Sequence, residues 1–167
     1  MSRRERSSWW VDAARGAVAG ALATWIMDLA TTGLFVAQSD EVTAREEAAR
    51  PEGRSSIGNL IARVEAMTGL GLDDSQRSLA EQAVHYGLGV APGALYGILR
   101  DRVPLIGAGR GLPYGLALFV VNDEYLNTRL GLAGPYGDYP IETHWRGLVG
   151  HAVLGVTTDT GIDLLGG

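Results

Sequence analysis

The sequence predicts an all-α polytopic membrane bundle, with four transmembrane helices and an amphipathic helix forming a single domain over residues 1–167. Three observations lead there. Residues 16–38 form an apolar block whose only charge is Asp28, long enough at about 1.5 Å per residue to cross roughly 30 Å of hydrocarbon. Glycine is abundant, at 24 residues, and recurs at four-residue intervals that let membrane helices approach closely. The charges crowd into a few short stretches instead of striping every helix.

Residues 1–10 carry Arg3, Arg4 and Arg6 without a closely following apolar run or a small-residue cleavage site, so they read as a cytoplasmic end and not a signal peptide. Trp9 and Trp10 suit an interfacial aromatic belt just before the first span at 16–38. Residues 39–80 are net acidic, and Ile57, Leu60, Ile61, Val64 and Met67 recur at helical spacing. They are expected to form an amphipathic helix outside the hydrocarbon, lying on the membrane or against the bundle, with a solvated linker helix as the alternative. The remaining spans are placed at 82–99, 111–128 and 145–165. The second holds His85 and Pro92 and is short. The last two are weak by hydropathy because they contain Asp123, Glu124, His151, Asp159 and Asp163, and a mean hydropathy of +0.07 leaves a soluble helical domain as a competing reading.

Charge sets orientation and excludes one class of partner. The net charge is -5, every basic residue is arginine, and no basic run interleaved with aromatics appears, which argues against nucleic-acid binding. Arg3, Arg4, Arg6 and Arg15 precede the first span and Arg100, Arg102 and Arg110 lie between the second and third, whereas the 127–144 loop has only Arg129. Both termini are therefore expected in the cytoplasm. Cysteine is absent, which removes disulfides, thiolate metal sites and a cysteine nucleophile. Gly16 with Gly20, the series Gly89, Gly93, Gly97, and the series Gly107, Gly111, Gly115 are the candidate helix-packing faces, although Gly107 is expected in a loop.

Residues 85–96, Asp123 with Glu124, 130–132, 140–144 and His151 together resemble the YagU-like group of uncharacterised bacterial inner-membrane proteins. The resemblance covers roughly the C-terminal half, with a looser fit in the first span. It implies a multi-pass protein of the bacterial inner membrane and brings no assigned activity with it.

Charged groups inside a bilayer cost about 2.5–3.5 kcal/mol on insertion scales, so those present should pair or line a wet cavity. The topology brings His85, Asp123, Glu124, His144 and His151 towards the outer third of the membrane. At least one of the three histidines is expected within hydrogen-bond range of Asp123 or Glu124, with helices approaching through Gly87, Gly89 and Gly150. Such a cluster can tie helices together, handle protons or ions, or place one of His144 and His151 with His85 and a carboxylate around a metal or haem. Asp28 is expected alone in mid-span, as a proton-relay carboxylate or an interhelical hydrogen-bonding group. Asp159 and Asp163 are expected to face headgroups or Arg100 and Arg102. No Ser-His-Asp order, phosphate-binding loop or HExxH is present, and residues 107–111 read as a turn. The leading reading is a non-enzymatic accessory, assembly or structural subunit that requires no cofactor, with the lipid bilayer and further copies or another membrane subunit as partners. The alternatives are a small proton or ion channel or carrier using intramembrane Asp and His, and a membrane metal- or haem-binding protein.

Overall fold

The computed structural model describes residues 8–103 and 105–167. Arg3, Arg4 and Arg6, counted above for orientation, lie outside the described residues. The chain is all-helical, 81% helix with no strand among the described residues. Its elements are α1 (Trp9–Val36), α2 (Asp40–Ala49), α3 (Ser56–Thr68), α4 (Asp74–Leu99), α5 (Leu112–Leu118), a π-helical segment Phe119–Leu126 running straight on from it, α6 (Asn127–Arg129) and α7 (Ile141–Leu164). Helix α1 is central, packing on α4 and α7, while α5 packs on α7 and stacks Tyr114 on Tyr96 of α4.

Local sequence explains where these boundaries depart from expectation. The second long helix starts at Asp74 and not near residue 82, because Asp73 and Gln76 form a reciprocal capping box at its N-terminus. The 39–80 segment is not one amphipathic helix. Ser39 and Ser55 cap separate helices α2 and α3, and Pro51 holds Arg50 in an extended conformation between them. Gly69, with φ of 73°, then ends α3 in a left-handed turn that a side chain would strain. Only part of the expected apolar face of α3 is used: Ile61 is buried, but Val64 and Met67 are exposed. The last helix begins at Ile141, after Pro140, four residues before the expected start. Residues 107–111 form the expected turn, with Gly109, Arg110 and Gly111 all at positive φ.

The bundle is packed through small residues. In α1 the buried positions are Gly16, Ala19, Gly20, Ala23 and Thr24, while Val18, Leu22, Trp25 and Leu29 point outward. A methyl group built on Gly93 would sit 2.6 Å from the Gly16 carbonyl oxygen, and those on Gly16, Gly20 and Gly97 would strike the facing backbone. The partner of Gly89 is the Thr24 side chain. Gly111 and Gly115 meet the backbone of α7 at Gly155 and His151. Gly16, Gly20, Gly89, Gly93, Gly97, Gly111, Gly115 and Gly150 are thus at the close approaches expected of them, and Gly155 and Gly161 join them. Gly87 does not: nothing lies within 4 Å of its missing methyl.

One helix, α1, is long and apolar enough to cross a membrane, with a hydropathy of 1.4 over its most apolar window. Among the described residues no other helix meets that measure, so the all-α class is as expected while one candidate span stands where four were expected.

Candidate functional site

Four long rods leave a cavity of about 520 Å³ between them at the end of the bundle covered by α2 and α3. Its floor is apolar, formed by Met27, Leu88, Pro92, Leu118, Phe119 and Leu154. All five residues of the expected cluster, His85, Asp123, Glu124, His144 and His151, line it, together with Glu46, Arg50 and Arg54 from the covering segment.

Backbone geometry places the acids. The π-helical segment bonds i→i+5, as in Asn127 N–H to the Asn122 carbonyl, and such turns are rare and cluster at functional sites. Phe119, Asn122, Asp123, Glu124 and Leu126 of this segment line the cavity. Across the cavity, Gly147 leaves room for the Phe119 ring, which lies 5.7 Å from that of His151.

Each histidine of the chain faces a carboxylate, but in different ways. His144 Nδ1 lies 2.7 Å from Glu124 Oε1, and its Nε2 lies 3.2 Å from the Tyr136 carbonyl oxygen. A carbonyl only accepts, so Nε2 donates, and the Nδ1–Glu124 contact must hold one further proton. The pair is then neutral as a unit, with the imidazole stacked on Tyr136 at 3.9 Å. The expectation that a histidine reaches Asp123 or Glu124 is met here.

His85 Nε2 lies 2.8 Å from Asp28 Oδ1, so Asp28 makes the interhelical hydrogen bond that was one of its two expected roles, with α4 supplying the partner. His151 donates Nδ1–H to the Gly147 carbonyl at 3.0 Å, which leaves its 3.6 Å approach to Asp123 beyond a direct hydrogen bond. The direct donor to Asp123 is the Asn122 amide at 2.8 Å. No group of three or more His, Asp or Glu side chains close enough to hold a metal forms among the described residues, so the expected ligand set of His85, one further histidine and a carboxylate does not assemble.

No family model, curated protein or solved structure matches this chain.

The rim contains a group that the sequence reading missed. Glu46 is buried and takes both Arg146 Nη2 contacts at 2.7 and 2.8 Å, Arg50 at 2.7 Å and the Thr143 hydroxyl at 2.9 Å. Burial pushes its carboxyl up, but the hydrogen bonds from Arg146 and Arg50, the Arg146 charge and Thr143 outweigh burial and hold it below its ordinary value. Arg146 also donates to Gln38 at 2.7 Å and lies over the Phe35 ring. The signal was available: Arg146 is a lone arginine at the start of an apolar stretch, and such a charge requires a partner. Two further contacts hold the cover in place, from Asn59 Nδ2 to the Leu132 carbonyl at 3.0 Å and from Arg63 to the Leu130 carbonyl at 2.6 Å.

At the opposite end, Arg100 donates to Asp163 at 2.5 Å and approaches Asp159 at 3.6 Å, as expected. Arg102 pairs instead with Asp12 at 3.0 Å.

Proposed function

We propose that this chain is a four-span helical protein of the bacterial inner membrane, with both termini cytoplasmic, acting without catalysis as an accessory, assembly or structural subunit. The observation that carries this reading is the inverted packing. Large apolar side chains such as Trp25, Leu29, Leu95, Val120, Val121, Trp145 and Val156 face outward, while glycine, alanine and threonine fill the contacts between helices. Water-soluble monomers rarely expose so much apolar surface, whereas lipid favours both features. In α1 only 22% of the most apolar window is buried, unlike the core helix of a soluble protein.

The same geometry accounts for the weak hydropathy of α7 and of the helix through Asp123. Asp123, Glu124 and His151 turn towards the cavity, and Asp159 and Asp163 reach Arg100. On this reading the Arg100 end lies at the cytoplasmic surface and the covered cavity in the outer half. The resemblance to the YagU-like group supports the same location. Sedimentation after alkaline carbonate extraction tests it: the chain is expected in the membrane pellet, and recovery in the supernatant contradicts it. Light scattering of the detergent-purified protein tests the subunit role. A strictly monomeric particle with no co-purifying protein contradicts that role.

A second reading, a small proton or ion carrier, is favoured by one observation: all three histidines line a single cavity, each facing a carboxylate. It expects pH-dependent flux in proteoliposomes that falls with Asp28→Asn, since the asparagine cannot hold a charge against His85. Unchanged flux in that variant removes it.

A further inference from the structure

We propose that the cavity binds a lipophilic organic monocation, with Asp123 as its counter-ion. Asp123 is distinguished by the charges around it. Among the cavity's other ionisable groups, the Glu46 carboxylate is shared by Arg146 and Arg50, Arg54 is held by Glu52 at 2.6 Å, His85 by Asp28 at 2.8 Å and Glu124 by His144. Asp123 has a neutral amide at 2.8 Å and an imidazole at 3.6 Å whose Nδ1–H is committed to a carbonyl. Its side chain is 35% exposed, on the cavity side of the π-helical segment. A carboxylate bordering an apolar floor without a cation is the arrangement that a monocation with an apolar body completes, because it brings its own charge and needs few hydrogen bonds.

The remaining features suit the same occupant. The volume of about 520 Å³ lies in the range of small-molecule pockets. The floor of Leu88, Leu118 and Leu154 accepts an apolar body. The proposal goes beyond the membrane reading and does not depend on it, since the cavity is formed within one chain.

The experiment compares tetraphenylphosphonium with tetraphenylborate, ions of the same shape and opposite charge, by isothermal titration calorimetry on the purified full-length chain. Tetraphenylphosphonium is expected to bind at least about tenfold more tightly than the borate, and Asp123→Asn to weaken it by about tenfold. Asp138→Asn, the same charge change on an exposed turn outside the cavity, is expected to leave the affinity unaltered. Equal affinity for the two ions, tighter binding of the borate, no binding of either, or a cation affinity that survives Asp123→Asn overturns the proposal. The two-ion comparison on the unaltered chain decides the sign of the preference even if the variant does not fold.

Discussion

Glu46 joins α2 to the start of α7, because one buried carboxylate takes hydrogen bonds from Arg50 at the end of α2 and from Thr143 and Arg146 of α7. Removing it leaves Arg146 without its main counter-charge, and breaking a buried pair in this way costs about 3 kcal/mol. Glu46→Gln is therefore expected to lower unfolding stability by that order, measured by denaturant titration of the detergent-solubilised protein. The pH dependence has a definite sign. The folded carboxyl is held below 4.5, so its contribution is complete above that value and is lost as pH falls through the folded pKa. The variant is expected to show a flatter acid limb than the parent. Asp28 teaches a different lesson at this scale. The sequence marks it as costly in mid-span, but its partner His85 lies on another helix 57 residues away. Only the pairing of α1 with α4 reveals it.

At the scale of the helix, the glycines divide sharply by position. Gly93 sits in the α1–α4 contact, where an added methyl would lie 2.6 Å from a carbonyl oxygen, so Gly93→Ala is expected to destabilise by about 1–3 kcal/mol. Gly87, six residues earlier on the same helix, faces open space. Gly87→Ala is expected to stabilise by about 0.5–1 kcal/mol through helix propensity alone. Thermal unfolding of the two variants beside the parent checks both signs. The four-residue glycine spacing was legible because close packing needs it. The π-helical stretch was not, since an i→i+5 turn leaves no fixed residue pattern and follows from how Phe119 and Asp123 seat against α7. The helix starts were misplaced for a simpler reason: hydropathy marks the apolar stretch of a helix, whereas its first turn is set by caps such as Asp73, which are polar.

For the whole molecule, composition made the helical class and the position of each long rod readable, because apolar runs separated by charged stretches leave few other architectures. The arrangement of rods around α1 and the cover made by α2 and α3 were not readable, since they depend on contacts such as Glu46 with Arg146 across 100 residues. The central claim is that the rods cross a bilayer with the Arg100 end inside and the covered cavity outside. The absence of cysteine in the chain makes that directly measurable. Single cysteines are placed by Asp138→Cys, in the turn before α7, and by Ala108→Cys, between α4 and α5, both exposed positions at opposite ends of the bundle. Labelling of intact spheroplasts with a membrane-impermeant maleimide is expected at position 138 at once and at position 108 only after permeabilisation. The reverse pattern, or equal labelling of both positions before permeabilisation, would contradict it.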